Sequence, residues 1–406
     1  MVPKEWKIKT IGDIATVSSG GTPSRKEQSY WNGDIPWVTT AEVKFKTILD
    51  SAEKITKEGL SNSSAKLFPI NTILMAMYGQ GKTRGQVAKL GIEASTNQAC
   101  AAIILSSDYC VDYYYQFLIY QYENIRDMSN SGSQENLSGS IVKSIPVPVP
   151  PYFEQQKIAK ILSTWDQAIS ATEKLLENSQ QQKKALMQQL LTGKKRLLDE
   201  NGMSFSEEWQ TQSLDSLFFF KKGKGLSKDM VSEFGQNKCI LYGELYTKYP
   251  EVIDEIVSRT NSSEGALSLI GDILIPSSTT TSGIDLANAV ALLEENVLLG
   301  GDINILRPKG EISSEFMAYL LTHIKKYEIA SRAQGITIIH LYGSDLKDIE
   351  VQIPKKVEEQ KKIAKLLSIA DQEINTLQKK LVCLNKEKKA LMQQLLTGKK
   401  RVKVAA

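Results

Sequence analysis

The sequence predicts an α+β chain: two globular domains separated by two long antiparallel coiled-coil helices, in an internal pseudo-two-fold repeat. Three observations predict it. The fourteen residues KKALMQQLLTGKKR occur at Lys183–Arg196 and again at Lys388–Arg401. Each copy closes a stretch with a sustained heptad-like apolar pattern. Each such stretch follows a region of short strand-like runs broken by turn residues. The resulting boundaries are a first domain at 1–152, a first helix at 153–198, a second domain at 199–356 and a second helix at 357–406.

The repeat extends well beyond the identical run. Glu154-Gln-Gln-Lys-Ile-Ala-Lys-Ile-Leu-Ser163 answers Glu359-Gln-Lys-Lys-Ile-Ala-Lys-Leu-Leu-Ser368. Upstream, Leu137-Ser-Gly-Ser140 and Pro150 answer Leu341-Tyr-Gly-Ser344 and Pro354. At the starts, Trp6 with Ile11-Gly-Asp-Ile14 answers Trp209 with Leu214-Asp-Ser-Leu217. The first seam reads Ile158, Leu162, Trp165, Ile169, Thr172, Leu176, Ser179, Lys183, Leu186 and Leu190. The second reads Ile363, Leu367, Ala370, Ile374, Leu377, Leu381, Leu384, Lys388, Leu391 and Leu395.

Steps of four and three along such a seam make a narrow apolar stripe that must find a partner. Prolines stand before each start. Thr192-Gly193 and Thr397-Gly398 mark the ends, where glycine suits a left-handed cap and the following lysines complement the helix dipole. A long heptad helix is often a device for pairing two chains. Duplication within one chain favours an internal, antiparallel pair instead. About forty helical residues would make a rod of roughly 60 Å, with a globular region expected at each end.

In the globular halves, Asp34–Val38, Thr72–Ala76, Ala101–Leu105, Gly271–Ile275, Ala289–Leu293 and Ile303–Leu306 read as strands. Asp112–Arg126 and Ser314–Ala330 read as helices. This mixture predicts α+β domains rather than a doubly wound sheet.

Composition narrows the function classes. Apolar content of 41% and charged content of 24% are those of an ordinary soluble protein. No apolar run is long enough for a membrane span, and the N-terminus lacks the core of a signal peptide. The four cysteines (Cys100, Cys110, Cys239, Cys383) are scattered, and His323 and His340 are the only histidines. That spacing disfavours zinc and fits a reduced, cytoplasmic protein. A net charge of +4 permits nucleic acid binding without arguing for it.

Two catalytic patterns deserve weighing. Ala76-x4-Gly81-Lys82-Thr83 satisfies a relaxed phosphate-loop pattern, but Arg84-Gly-Gln-Val87 reads as a hairpin where a helix is needed. Asp34 with Glu42-Val-Lys44 resembles a metal-dependent nuclease triad, though the string is short and the second half offers no counterpart. Val149-Pro-Pro-Tyr152 lacks the leading Asn or Asp of an amino-methyltransferase motif.

The loops between strands are rich in donors: Ser19-Gly-Gly-Thr-Pro-Ser-Arg25, Gln80–Arg84, Asn97-Gln98 and Ser131–Asn136 in the first half. The second offers Lys221–Lys224, Lys228, Ser277–Ser282 and Arg332–Gly335. Arg, Lys, Gln and Asn can read base edges, while Ser, Thr and loop amides hold phosphates.

The order of a Trp-led domain, a proline-flanked EQ-x-K-I-A helix start and an LMQQLLTGKKR helix end, repeated once, closely resembles the specificity subunit of type I restriction-modification systems. The resemblance covers essentially the whole chain. Gly20–Ser24, Ile35–Thr39, Ser95–Gln98, Tyr242-Gly-Glu244, Gly300-Gly-Asp302 and Gln334-Gly335 with His340 look like strings frequent in that family's target recognition domains. It implies a non-catalytic subunit whose two domains each read half of a split double-stranded DNA target. It implies two methyltransferase subunits docked along the helices, and restriction subunits joining them. S-adenosylmethionine and ATP would then sit on those partners, and this chain would carry no cofactor and no metal.

The family does not assign base contacts to fixed positions, so the DNA-binding candidates come from loop chemistry. They are Lys82, Thr83 and Arg84, then Gln80, Ser24 and Arg25, and in the second half Lys222, Lys224, Ser278, Thr279 and Thr280. Each also reads as a solvated loop residue, and His340 as a packed structural histidine. Leu186, Leu190, Lys194, Lys195, Leu391, Leu395, Lys399 and Lys400 are the partner-binding candidates. A coiled-coil scaffold joining two protein-binding domains is the alternative reading.

Overall fold

A computed structural model of the chain describes residues 3–79, 81–129 and 136–402. The chain forms two compact units, 1–173 with 379–406, and 174–378.

In the first unit, Lys7–Thr10 pairs antiparallel with Pro146–Val149. The main sheet has the order Ala15–Ser19, Cys100–Leu105, Ile73–Ala76, Val87–Leu90, Thr47–Ile48. A second sheet joins Glu53–Ile55, Trp31–Val38 and Ser95–Thr96. The central strand is buried on both faces, which is why it reads as a continuous apolar run rather than an alternation. Ile73 and Met75 point to a core shared with Tyr113, Tyr114 and Phe117. Leu74 and Ala76 point to the other, with Val38, Val43 and Phe68.

The second unit repeats this plan. Gln210–Ser213 pairs with Glu350–Ile353, and the main sheet runs Phe218–Lys222, Ile303–Pro308, Asp272–Pro276, Val290–Leu292. Ile273 and Ile275 face one core and Leu274 the other. The duplication is therefore one of topology and register as well as of sequence.

The helices expected over Asp112–Arg126 and Ser314–Ala330 are each broken in two. The first is Val111–Tyr120 and Tyr122–Asp127, with Gln121 leaving helical dihedrals at ψ 4°. The second is Ser314–His323 and Lys326–Ser331, with the same departure at Lys325, ψ 5°. The break turns each short helix toward a loop at the sheet edge: Arg126 donates to the Gly81 carbonyl at 2.8 Å, and Lys326–Ser331 packs on Gly283–Ala287.

The two long helices are Tyr152–Leu190 and Val357–Leu395, each of 39 residues. Every seam position expected from the heptads is buried or half-buried. In the first unit, Ile158 and Leu162 share a core with Met392, Leu395 and Leu396, so the segments run antiparallel. In the second, Leu190 and Leu191 meet Ile363, Ala364 and Leu367 in the same sense.

The repeated motifs are complementary to one another. Arg401 pairs with Glu154, and Arg196 reaches Glu359 at 2.7 and 2.8 Å. Lys388 binds Asp166 at 2.5 Å while Gln116 donates to its other oxygen at 2.5 Å. Lys183 binds Asp371 at 2.5 Å, with Tyr319 donating to the other oxygen at 2.6 Å. The glutamine of each EQ string ties proline loop to helix start: Gln155 bonds Pro150 and Cys110, and Gln360 bonds Pro354 and Ser313. Gly193 and Gly398 take φ of 67° and 71° and close the helix ends, as their positions predict.

Only the second unit adds Glu251 to this clamp, between His323 and Lys183. Burial alone would raise the Glu251 pKa, but the His323 hydrogen bond and the Lys183 charge outweigh it and hold it at about 2. A depressed folded pKa stabilises above the unfolded value and is lost as pH falls through the folded one. Chemical denaturation between pH 5 and pH 2 should therefore show the wild-type second unit losing stability, and Glu251→Gln losing less across that window. Parallel pH profiles for the two proteins would contradict the assignment.

Candidate nucleic-acid interface

Strand register gathers the polar loops. In the first unit, Ser19 and Ala76 end their strands where Val87 and Cys100 begin theirs, so 20–25, 77–79, 81–86 and 97–99 meet at one sheet edge. The Leu137 amide donates to the Met77 carbonyl at 2.9 Å and brings 136–138 to the same edge. In the second unit, 223–228, 277–289 and 300–302 occupy the matching edge, and Leu341 donates to Ser277 at 2.9 Å.

Residues 77–79 and 81–86 belong to a hairpin closed by Ala76 to Gln86 and Gly85 to Ala76 hydrogen bonds of 2.9 Å each. Gly79, Gly81 and Gly85 all have positive φ. A strand, Val87–Leu90, follows Lys82-Thr83, so no helix N-terminus meets a phosphate and the phosphate-loop pattern is coincidental. Lys82 is exposed at the tip and Thr83 half-buried, whereas Arg84 is buried at 8% exposure. Arg84 is thus corrected from an open base reader to a buried residue at the base of the hairpin. Gln80 lies outside the described residues, as does most of Ser131–Asn136.

Arg25 also departs from expectation. Both terminal nitrogens bind the Glu53 carboxylate, and the guanidinium stacks 3.8 Å over the Trp31 ring. Its bidentate edge, the feature that reads guanine, is committed to the protein's own carboxylate. Ser24 is exposed beside it and accepts the Trp31 indole N–H through its carbonyl at 3.1 Å.

In the second unit Lys222 and Lys224 are exposed on the loop edge, Lys222 standing 4.0 Å from Asp302. Ser278 and Thr279 are buried and form a short strand against Ile339–His340, so their side chains serve the fold rather than a ligand. Thr280 beside them is exposed. His340 holds this ladder and stacks with Tyr342 at 6.1 Å, a structural role.

The register also shows what sequence reading missed. Gly20 donates to Cys100 as Gly223 does to Ile303, and Gly21 to Thr96 as Lys224 does to Leu299. Ser24-Arg25 therefore correspond to Ser227-Lys228, and Lys228 was passed over as a site residue. Lys228 is exposed beside a cleft of about 980 Å³, lined also by Leu226, Tyr242, Glu244 and Asp302. The glycine before each pair was the available signal.

The Glu42-Val-Lys44 string has no counterpart in the second half, where Glu244-Leu-Tyr246 lacks the lysine, but Glu42 itself has a structural equivalent in Glu244. The Glu42 carboxylate accepts from the Thr39 amide at 2.8 Å and the Ala52 amide at 2.9 Å; Glu244 accepts from the Leu241 amide at 2.9 Å and from Lys248 at 2.7 Å. Both are loop caps. With its oxygens so engaged, Glu42 is a poor metal ligand, and no group of three or more His, Cys, Asp or Glu among the described residues could hold a metal ion.

Of the partner-binding candidates, Leu190 and Leu395 are corrected to core residues, at 0% and 4% exposure, filled in by the chain's own seam. Leu186 and Leu391 are half-buried on that seam, and Lys194, Lys195, Lys399 and Lys400 are exposed.

A duplicated α+β unit, presenting basic and polar loops at a sheet edge and clamped to paired helices by reciprocal ion pairs, defines a class of two-site recognition proteins. The chain belongs to the family described as type I restriction modification DNA specificity domain, which matches residues 3–179 and 206–384. It is a specificity subunit with two target recognition domains. It is 26% identical over 452 residues to the type I restriction enzyme MjaIX specificity subunit of Methanocaldococcus jannaschii, covering 99% of this chain and 95% of that one. It is 33% identical over 169 residues to the Escherichia coli EcoR124I/EcoR124II specificity subunit, covering 40% of this chain and 41% of that one. A crystal structure of the type I restriction-modification S subunit from M. genitalium has the same fold, with a TM-score of 0.64 at 18% identity, covering 97% and 96% of the two chains. No helix among the described residues is long and apolar enough to cross a membrane.

Proposed function

We propose that this chain supplies DNA sequence recognition to a type I restriction-modification complex without doing chemistry itself. The first unit reads one half of a bipartite double-stranded target and the second unit the other. The helix ends dock two copies of one methyltransferase subunit, and restriction subunits join that assembly. S-adenosylmethionine and ATP belong to those partners.

One observation carries the two-partner reading. Of the fourteen repeated residues, Lys183, Leu186, Leu190, Leu191, Gly193 and Arg196 are accounted for by packing, capping or ion pairs within the chain. Lys184, Gln188, Gln189, Lys194 and Lys195 are exposed, as are Lys389, Gln393, Gln394, Lys399 and Lys400. The fold does not require identity at these places. Two equal exposed stripes fit two equal partners, while the unlike loops of the two units fit unlike half-sites.

Deleting the gene and sequencing host DNA with modification-sensitive chemistry tests this. A split methylated motif is expected to vanish on deletion and to return with the wild-type gene. A motif that persists unchanged would sink the proposal.

A further inference from the structure

In the second unit, 334–340 form a tight hairpin at the loop edge, Gln334 and His340 exchanging backbone hydrogen bonds of 2.8 and 2.7 Å. Its tip geometry is enforced. Gly335 has φ of 126°, and a Cβ there would meet the Ile338 carbonyl at 2.1 Å. Its base is tied down three times: by the His340–Ser278 ladder, by Leu341 to Ser277, and by the Asn304 amide to the Leu341 carbonyl at 2.9 Å. At this braced tip Ile336 is 99% exposed and Ile338 49% exposed.

A lone exposed aliphatic residue is ordinary. Here, however, a hairpin hydrogen-bonded at its base holds a fully solvated β-branched side chain at the same sheet edge as Lys222, Lys224 and Lys228, more exposed than the other apolar side chains nearby, Met230, Ile284 and Ile338. It contributes nothing to the core, so folding does not explain it. Among the groups on the major-groove edges of the bases, the one apolar group is the thymine 5-methyl; the rest are hydrogen-bond donors and acceptors.

We infer that Ile336 is a specificity-determining residue that packs on the 5-methyl group of a thymine in the half-site read by the second unit. This rests on the DNA-reading assignment above. The contact would favour T·A over the other pairs at that position through burial of apolar surface, without a hydrogen bond. A methyl buried in that contact would contribute about its transfer free energy.

The test uses the full chain co-expressed with its methyltransferase and duplexes carrying the recognised motif, each thymine replaced in turn by uracil, which removes only the methyl. At one position of one half-site, uracil should weaken wild-type binding about fourfold, the worth of one buried methyl. Ile336→Ala should bind the thymine duplex similarly more weakly and be indifferent to uracil there, with an unchanged melting temperature because the side chain is already in solvent. The inference is overturned if no uracil substitution weakens the wild type by about twofold or more, if the half-site read by the second unit contains no thymine on either strand, or if Ile336→Ala stays as sensitive as the wild type. Failure of the wild-type complex to bind any motif specifically would instead overturn the DNA-reading assignment itself, and is seen before any uracil duplex is used.

Discussion

Alanine at Arg196 is expected to destabilise the second unit by about 3–5 kcal/mol, the cost of leaving a buried charge without its partner. Glu359 is 1% exposed, and its carboxylate is met at both oxygens by the Arg196 guanidinium. Arg196 also donates to the Glu207 carbonyl at 2.9 Å, so lysine, with a single point charge, should recover only part of the loss. The pair joins the end of the first long helix to the start of the second, and unfolding of that junction exposes the seam around Ile363 and Leu367. Urea denaturation followed by tryptophan emission, sensitive to Trp209, would measure it. Adding Glu359→Gln to Arg196→Ala should restore stability relative to Arg196→Ala alone, since the orphaned charge is then removed. A loss below about 1 kcal/mol would place the pair among ordinary surface salt bridges.

The second large effect concerns assembly. Replacing Lys194, Lys195, Lys399 and Lys400 together by glutamate should weaken methyltransferase binding at least about a hundredfold, because like-charge juxtaposition at an interface costs several kcal/mol. All four side chains are exposed, so the fold should survive, as circular dichroism would verify. The informative variants are the half-reversed ones. Lys194→Glu with Lys195→Glu should lower the bound stoichiometry from two methyltransferase subunits to one, measured by native mass spectrometry. An unchanged stoichiometry in both half-reversed proteins and in the fourfold variant would exclude these lysines from the contact.

Much of the architecture was legible because it is periodic. The heptad seam foretold the buried positions of both long helices, including the polar ones: Ser179 in the seam finds Glu373 at 3.2 Å. The strand runs were legible for a different reason, since a strand covered on both faces is apolar throughout. The helix breaks at Gln121 and Lys325 were not, because neither residue is a helix breaker. They follow from where Arg126 and Lys326–Ser331 must pack.

The candidate site was less legible. Arg25 and Arg84 looked like open readers because a sequence shows donors without their partners; the structure shows one engaged by Glu53 and the other buried. Ser278 and Thr279 looked like phosphate ligands because hydroxyls in a loop and in a short buried strand are written alike. Lys228 was overlooked because its equivalence to Arg25 is a matter of backbone register, visible only once Gly20 and Gly223 are seen making the same bond.

The sequence by itself determined that this protein is duplicated, that its helices pair within the chain, and that one exposed stripe is written identically at both helix ends. Those are properties of periodicity and repetition, which survive in one dimension. Only the tertiary structure decided which repeated residues are spent on the chain's own clamps, with Lys183 and Arg196 inside and Lys194 and Lys195 outside. It alone put Ile336 at a braced tip beside the basic loops. Such choices depend on which partner reaches a side chain first across long stretches of sequence, and that is settled by packing and register.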